Sequence, residues 1–322
     1  MSTRTAKPGA ASHEKRHPWT VLLDLDLPAG YDARSANPND AEAVMGVVAA
    51  CERHDGGEVL IELEDIVSDW QRPSFDLARH SVVVSRQEEL VACGEVSKGR
   101  RAEVYVLPGH RARGIGSALM RWTWDVARAC GGSLVGQTIP DSLTDARNLF
   151  QGNGYEPLWT SWILQLPEGA SLLDGDLPLG AQFRDFVLGR DDRCAYQVIE
   201  DAFNEWPDRQ PTSYDDWEAG VLKRPGFQPW HLQLVTENDA VVGVCNASVT
   251  AGVGWVDQIA VRRDARGRGI AKAMLMRAFR QARAHGALRC ELATDSRTGA
   301  LGLYEHVGMI VRASYVHWAK QL

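Results

Sequence analysis

Apolar and polar positions alternate with clear periods in the second half of the chain. Apolar residues recur at three- and four-residue spacing from Gly269 to His285, which predicts an amphipathic helix with Gly286 as its C-terminal cap. Leu288, Cys290 and Leu292 then alternate with polar residues, as in a half-buried strand. The same criteria predict further strands at 181–186, 231–236, 240–249, 254–261 and 311–318, and helices at 193–203, 214–222 and 299–306. Interspersed strands and helices of this kind predict an α+β fold.

The chain repeats itself at an offset of about 154 residues. The run VLPGHRARGIG from Val106 to Gly116 matches VRRDARGRGIA from Val261 to Ala271, and three further matches keep the same order. A repeat this long indicates a duplicated domain. The stretch before Gly180 is rich in proline and glycine and is typical of a linker. We therefore predict a disordered tail at 1–18, an N-terminal domain at 19–167, a linker at 168–180 and a C-terminal domain at 181–322.

Composition and charge exclude several classes of protein. The 322 residues are 44% hydrophobic and 24% charged, which is typical of a globular protein with a real core. The longest apolar run spans only residues 43–51, so no membrane span or membrane partner is expected. No apolar segment follows the basic N-terminus as in a secretory signal, and we expect a cytoplasmic protein. The net charge of −7 argues against nucleic acid as a partner.

Metal and disulfide sites are not expected. The six cysteines are widely spaced and form no C-x-x-C pair, so we interpret them as small apolar residues. The run from His13 to His17 matches the zinc-protease pattern H-E-x-x-H. That pattern needs a supported helix, and the prolines and glycine around this run favour a solvated tail instead.

One segment in each half carries a pattern that predicts ligand chemistry. A strand that ends at Val261 leads through a short connection to glycines at the start of the long helix. Glycines in such a turn let successive backbone N–H groups face one point, and the helix N-terminus adds positive potential. The sequence therefore predicts a site for a pyrophosphate. It is neither a dinucleotide fingerprint nor a Walker loop, because the third glycine and the G-K-[ST] triplet are missing.

These motifs resemble the acyl-CoA signature [Q/R]-x-x-G-x-[G/A] of the GCN5-related N-acetyltransferase (GNAT) superfamily. Both halves match it, as Arg111-x-x-Gly114-x-Gly116 and as Arg266-x-x-Gly269-x-Ala271. The resemblance implies two tandem GNAT domains, each a mixed, mostly antiparallel twisted sheet flanked by helices. It also implies acetyl-CoA as the acyl donor and direct attack by an amine on the thioester.

By this resemblance, the pantetheine arm and pyrophosphate of the cofactor contact the strand end and the loop of a domain. The residues implied in the C-terminal half are Ile259, Ala260, Val261, Arg266, Gly267, Arg268, Gly269, Ile270 and Ala271. Those implied in the N-terminal half are Val106, Arg111, Ala112, Arg113, Gly114, Ile115 and Gly116. A backbone N–H near Ile259 to Val261 would face the thioester oxygen as it gains charge.

The resemblance also implies which half is catalytic. Tyr304 matches the family's usual general acid, whereas Phe150 at the matching position has no proton to give. We therefore predict a catalytic C-terminal half and an N-terminal half that binds acetyl-CoA without turnover or has lost both functions. Asp257 is the first candidate for the general base, although the family often has a glutamate at the position of Trp255.

Other residues remain candidates for the acceptor side of the site. Further candidate bases precede the acceptor-side loop, and tryptophans in the same region would form an acceptor pocket or pack in the core. These residues are Glu200, Asp201, Glu205, Trp206, Trp217, Trp230 and Trp255.

The sequence therefore predicts an N-acetyltransferase that moves acetyl from acetyl-CoA to a primary amine of a small molecule. The acceptors left open are an amino-thiol precursor, a cationic antibiotic amine and a protein lysine, and a non-catalytic acetyl-CoA-binding regulator is the alternative of another class. No feature of the sequence specifies an oligomeric state.

Overall fold

The computed structural model describes residue 23 and residues 25–172, 175–206 and 209–322, so the predicted tail lies outside the described residues. The elements of the N-terminal half are β1 (Asp32–Arg34), α1 (Ala41–Gly56), α2 (Leu63–Trp70), α3 (Leu77–His80), β2 (Ser81–Arg86), β3 (Glu89–Ser97), β4 (Arg101–Val106), α4 (Ile115–Ala129), β5 (Leu134–Pro140), α5 (Thr144–Gly152) and β6 (Glu156–Leu166).

The C-terminal half repeats this order after the linker, except that its described residues include no counterpart of α3. Its elements are β7 (Ala181–Asp185), α6 (Asp192–Phe203), α7 (Tyr214–Gly220), β8 (Leu232–Glu237), β9 (Ala240–Thr250), β10 (Val253–Val261), α8 (Ile270–Ala284), β11 (Arg289–Asp295), α9 (Leu301–His306) and β12 (Ile310–Gln321). The elements predicted for this half are therefore confirmed, with shifts of about three residues or fewer at their ends. Gly286 has φ +92°, as predicted for the cap of the long helix.

The twelve strands of the described residues form one continuous sheet. Its strand order is β1-β2-β3-β4-β5-β12-β6-β11-β10-β9-β8-β7. The parallel pairs are β4 with β5 and β10 with β11, and the other pairs are antiparallel. The sheet is therefore mixed and mostly antiparallel, as expected.

The two halves exchange their last strands. β12 pairs with β5 of the N-terminal half, with Tyr315 opposite Pro140 and Gln321 opposite Leu134. In return β6 pairs with β11 of the C-terminal half, from Cys290↔Leu166 to Asp295↔Ser161. β6 and β12 pair with each other at the centre. Each half of the sheet is thus completed by a strand that the other half of the sequence supplies.

Helices cover both faces of the sheet and bury its apolar side chains. The apolar face of α8 packs on the C-terminal strands through residues such as Met274, Leu275 and Phe279, and α4 does the same in the N-terminal half. On the opposite face, α1 and α2 bury a second cluster in the N-terminal half, and α6 and α7 bury one in the C-terminal half. No helix in the described part of the chain is long and apolar enough to cross a membrane.

The segment predicted as a linker is packed along α8. Leu172 and Leu177 contact the core of the C-terminal half, and the carbonyl of Ala170 accepts a hydrogen bond from Arg283. Gly175 approaches so closely that a Cβ there would lie 3.0 Å from the Cα of Ala273. This contact requires a residue without a side chain, which explains a glycine at that position.

Candidate active site

The two predicted anion-binding loops have the same backbone conformation. Gly269 precedes α8 with φ +84° and Gly114 precedes α4 with φ +92°. Two residues earlier, Gly267 has φ +74° and Ala112 has φ +57°, so the N-terminal loop holds an alanine in the left-handed region. Neither helix start has a side-chain cap among the described contacts, and its first N–H groups are directed outward. A Cβ at Gly267 or Gly269 would meet nothing within 4 Å, so no described atom blocks the approach of an anion to the backbone of these glycines.

The arginine of each signature binds the end of the strand that precedes its loop, as well as a carboxylate. Arg266 donates from Nε to the carbonyl of Val261 at 2.8 Å and pairs with Glu205 at 2.7 Å. Arg111 repeats this arrangement with the carbonyl of Val106 at 3.0 Å and with Asp55 at 2.7 Å. Both guanidinium groups are therefore engaged within the protein, so the backbone N–H groups of the loops are the first candidates for donors to a phosphate.

The parallel strands that precede the loops separate as they approach them. β10 pairs with β11 only from Val253 to Val256, and β4 pairs with β5 only at Arg101. The backbone from Asp257 to Val261 therefore has no partner strand on this side. In the N-terminal half, the side chain of Gln137 enters the corresponding gap and donates to the carbonyl of Val104 at 3.0 Å.

A β-bulge distinguishes β10 from β4. Val256 and Gln258 oppose consecutive residues of β9, which leaves Asp257 as an extra residue, whereas β4 pairs with β3 without a register shift. A bulge re-aims a side chain and leaves local backbone groups unpaired. The C-terminal half therefore has an irregularity beside its open strand end that the N-terminal half lacks.

A cavity of about 1680 Å³, which we call the central chamber, extends between the halves. It begins at the N-terminal loop with Ala112, Gly114 and Gly116 and reaches Trp255 and Asp257 on β10. Strands β5, β12, β6 and β11 lie between these two ends. The C-terminal loop and Tyr304 are not among the described residues that line the chamber. The chamber thus opens on the phosphate loop of one half and on the candidate base of the other.

Asp257 lies on the chamber wall in an unusual electrostatic setting. Its side chain is accessible from the chamber. Protein atoms surround the site closely enough that desolvation raises the pKa of this carboxyl to about 7. The charge of Arg224 opposes this rise, while the carboxylates of Asp65 and Glu62 add to it. Arg224 itself pairs with Glu62 at 2.6 Å and Asp65 at 2.9 Å. Asp257 can therefore exchange a proton near neutral pH.

Tyr304 lies on α9 and is packed in the core of the C-terminal half. Burial, with a further contribution from Cys245, raises the pKa of its phenol to about 12, so the hydroxyl keeps its proton at neutral pH. Its counterpart Phe150 lines the central chamber and stacks on Tyr155 with ring centroids 4.8 Å apart.

The three further candidate bases are all engaged in other contacts. Glu200 pairs with Arg209 at 2.8 Å and accepts from the N–H of Thr212, and these contacts lower its pKa. Asp201 accepts from Gln197 at 2.7 Å, and Glu205 binds Arg266 as described above. A carboxylate held by such contacts is a weaker base than one without them.

Of the four candidate pocket tryptophans, Trp255 lines the central chamber within the described part of the molecule. Trp217 is buried in the core under α6. Trp206 packs on Phe203 with ring centroids 4.4 Å apart, and Trp230 stacks on His285 at 4.0 Å.

A four-membered ion network, here called the seam quartet, joins the two halves, and no pattern in the sequence predicts it. Glu58, from the connection after α1, binds Arg289 at 2.7 Å and Arg312 at 2.9 Å. Both arginines also bind Glu291, which is fully buried. Glu58 lies more than 200 positions from both arginines in sequence, so no local pattern could have indicated these contacts.

Two family models match the chain in tandem. One described as "Acetyltransferase (GNAT) family" matches residues 193–309, and one described as "Acetyltransferase (GNAT) domain" matches residues 78–157. The chain is 30% identical to a mycothiol acetyltransferase of Kineococcus radiotolerans, over 91% of this chain and 97% of that protein. It is 27% identical to the mycothiol acetyltransferase of Cellulomonas flavigena, over 88% and 87% of the two chains.

Solved structures agree with this relationship. A GCN5-related N-acetyltransferase from Sphaerobacter thermophilus superposes with a TM-score of 0.73 at 32% identity, covering 92% of this chain and 96% of that one. A tandem GNAT protein from the clavulanic acid biosynthesis pathway shares the fold, with a TM-score of 0.68 at 15% identity, covering 90% and 98%. On this evidence the chain belongs to the GNAT superfamily as an N-acetyltransferase with two GNAT domains.

Proposed function

We propose that this protein transfers acetyl from acetyl-CoA to a primary amine of a small molecule, with the chemistry in its C-terminal half. The observation that carries the proposal is the bulge that leaves Asp257 on the chamber wall beside the unpaired end of β10. The N-terminal half lacks this bulge and has Phe150 where the C-terminal half has Tyr304.

In this proposal, Asp257 accepts a proton from the ammonium group of the acceptor and so generates the attacking amine. Its raised pKa makes the carboxyl a better base near neutral pH than an ordinary aspartate. A backbone N–H from Ile259 to Val261 faces the oxygen that gains charge, because this part of β10 has no partner in β11. Tyr304 then gives its proton to the departing thiolate.

The phosphates of acetyl-CoA would be bound by N–H groups of the loop that contains Gly267 and Gly269. The side chains of Arg266 and Arg268 contribute indirectly, since they bind Glu205 and Glu237. The equivalent loop at Gly114 opens on the central chamber, which supports a second acetyl-CoA site in the N-terminal half, without turnover.

The names of the relatives favour an amino-thiol precursor of the mycothiol type among the acceptors. At 27–30% identity this stays one candidate, because GNAT proteins share a fold while acceptor specificity depends on the residues of the individual site. A cationic antibiotic amine, a protein lysine and a regulator without turnover are the other candidates.

The test is amine-dependent release of CoA thiol by the purified protein over a panel of amines, an amino-thiol glycoside and a lysine peptide. We expect Tyr304→Phe to lower kcat by about 10²-fold, the contribution typical of a general acid. Tyr214→Phe is the matched control, since its hydroxyl binds Glu218 on α7, away from the loops. Full turnover in Tyr304→Phe would contradict the assignment of the acid.

Calorimetric titration with acetyl-CoA tests the two loops without any acceptor. We expect two equivalents for the native protein and one equivalent for either Gly269→Asp or Gly114→Asp, with turnover lost in Gly269→Asp. Each change adds a side chain at positive φ and a negative charge to the phosphate site. If the protein bound no acetyl-CoA at all, the proposed function would be overturned. If it bound acetyl-CoA but released no CoA with any acceptor, the result would favour a non-catalytic regulator.

A further inference from the structure

Two side-chain amides beside Asp257, here called the amide pair, have no partner among the described residues. Oε1 of Gln258, on β10, is buried and accepts no hydrogen bond from any of them. The side chain of Asn246, on β9, also lacks a described partner, although only 9% of this residue is exposed. Buried polar groups normally have a hydrogen-bond partner, because an unmade bond costs free energy. Two such groups side by side indicate a place where a ligand binds.

The two members of the amide pair lie on the same face of the sheet. Gln258 is directly opposite Asn246 in the pairing of β10 with β9, and the Cβ atoms of such residues are about 5 Å apart. Side chains alternate along a strand, and Ala260 and Val244, each two residues away from one member of the pair, pack under α6 and α7. Gln258 and Asn246 therefore face the same two helices.

The bulge in β10 brings Asp257 to this face as well. Val256 packs in the cluster under α8, so the next residue, Asp257, faces away from α8 and lines the central chamber. In a regular strand, Gln258 would then point to the opposite face. Because Asp257 is the extra residue of the bulge, Gln258 instead faces the same side. The bulge thus places a carboxylate and an amide oxygen next to each other.

The amide pair lies where the proposed function needs the reacting amine. Asp257 lines the central chamber, and Gln258 and Asn246 lie beyond it in the direction of Val261. The backbone from Ile259 to Val261 is the proposed position of the thioester oxygen. An acceptor with its body in the chamber would therefore bring its amine past Asp257 and beside the amide pair.

The N-terminal half has a different pair of residues at the matching position. Glu103 and Glu95 lie opposite each other in β4 and β3, three residues before the end of β4, as the amide pair does for β10. Nε1 of Trp70 donates a hydrogen bond to Glu95 at 2.6 Å, so one of these two carboxylates is bound within the protein. The unpartnered amides are therefore a feature of the proposed catalytic half.

We infer that the amide pair binds the amine that is acetylated and, together with Asp257, selects a primary amine. The inference rests on the proposed function, since it takes Asp257 as the base. A primary ammonium group has three N–H groups. Asp257 accepts one proton, and the side-chain oxygens of Gln258 and Asn246 accept hydrogen bonds from the two N–H groups that remain. The lone pair of the nitrogen is then free to attack the thioester.

A secondary amine fits this arrangement less well. After it gives a proton to Asp257, only one N–H group remains, so one oxygen of the amide pair has no donor. A site built to hydrogen-bond an N–H group rejects an analogue that lacks it, because the buried polar group is left unpaired.

The test compares a primary amine with the same amine carrying one N-methyl group. The primary amine is the member of the CoA-release panel that has the highest kcat/KM. We expect the native protein to prefer it by about 10²-fold in kcat/KM, and we expect Gln258→Leu and Asn246→Leu each to reduce this ratio about tenfold. Such a loss is typical of one hydrogen bond to a charged group. Gln258→Met provides the same test if the leucine variant does not fold.

Gln281→Leu is the matched control. Its Oε1 is also buried without a partner among the described residues, but Gln281 lies on α8, on the other face of the sheet. The ratio should therefore stay unchanged. Replacing an unpartnered amide by an apolar side chain of similar size should not lower the urea midpoint of any of these variants. Amides with a purely structural role would instead lower the midpoint when removed and leave the ratio unchanged.

The possible failures are distinguishable. A ratio that Gln258→Leu or Asn246→Leu leaves unchanged, or that Gln281→Leu reduces equally, would overturn this inference and leave the proposed function standing. Equal kcat/KM values for the primary and the N-methyl amine in the native protein would overturn it as well. Absence of CoA release with every amine would overturn the proposed function, and the inference with it.

Discussion

Asp257 combines two properties that an aspartate on a flat surface cannot have. Its carboxyl is accessible from the central chamber, so a substrate can reach it, and the surrounding protein still raises its pKa to about 7. The bulge in β10 produces this combination, because the extra residue in the strand turns the side chain toward the chamber. Neighbouring carboxylates keep the pKa high, and Arg224 keeps it from rising further.

The first prediction concerns the pH dependence of turnover. A base acts only when deprotonated, so kcat/KM should be low below pH 6 and should rise with pH through about 7. Asp257→Asn should lose this step and lower kcat/KM by about 10²-fold. The acceptor amine also titrates, so the diagnostic quantity is the ratio of the native to the variant profile. The measurement is CoA release from pH 5 to 9 at one ionic strength.

Stability provides the control for that profile. The pKa of Asp257 is higher in the folded protein than the ordinary value of 3.8, so the folded state binds the proton more tightly than the unfolded state. The contribution of this carboxyl to the unfolding free energy should therefore fall as pH rises from about 4 to about 7, and Asp257→Asn should remove this contribution. If the two proteins show the same pH dependence of both turnover and stability, Asp257 is not the titrating group.

At the scale of secondary structure, the chain contains two versions of one strand-loop-helix element. Both loops have the same backbone, and both following helices have fifteen residues. They differ at the position two residues before the helix cap, where the N-terminal loop has Ala112 and the C-terminal loop has Gly267, both at positive φ. An alanine in the left-handed region is strained by roughly 1–2 kcal/mol, so the two loops differ in local stability.

The second prediction exploits this natural pair. Ala112→Gly should raise the unfolding free energy by about 1 kcal/mol, and Gly267→Ala should lower it by about the same amount, after the greater freedom of glycine in the unfolded chain is included. Gly109→Ala is the matched control, because its φ is not in the positive region and a Cβ there would meet nothing within 4 Å. The measurement is the urea midpoint of each variant. A shift of both loop variants in the same direction would show that loop strain does not control these values.

These elements also show which features a sequence can predict. The loops and helices were predictable because glycine spacing and apolar periodicity are local signals. The bulge at Asp257 was not, since it depends on how β10 pairs with β9. The central chamber and the seam quartet were also not predictable, because they depend on contacts between residues far apart in the chain. Glu200 on α6 and Glu205 just after it were candidate bases in the sequence, and their arginine partners become visible only in the fold.

For the molecule as a whole, the exchange of β6 and β12 has the largest consequence. Each half of the sequence contains every element of a GNAT domain, yet its last strand completes the sheet of the other half. The seam quartet and the pair of Arg224 with Glu62 add ion pairs across the same boundary. The two GNAT domains therefore share one sheet, and residues of both line the central chamber.

The last prediction follows from that exchange. The proposed N-terminal domain at 19–167, expressed alone, would lack the strand between β5 and β6, and the proposed C-terminal domain at 181–322 would lack the strand between β11 and β12. Each fragment would expose unpaired strand edges, so we expect it to aggregate or remain partly unfolded on its own. Co-expressed, the fragments should form a one-to-one complex, because β6 and β12 can exchange between separate chains as well as within one.

Sedimentation and circular dichroism of each fragment and of the pair provide the measurement, with CoA release as a second readout. The complex should recover turnover if residues 168–180 serve only as a connection, and recovery should be lower if their packing on α8 supports the loop at Gly269. A C-terminal fragment that is monomeric, cooperatively folded and fully active would contradict this account. Its strand edge would then be stable without β6, and the N-terminal residues that line the central chamber would have no part in turnover.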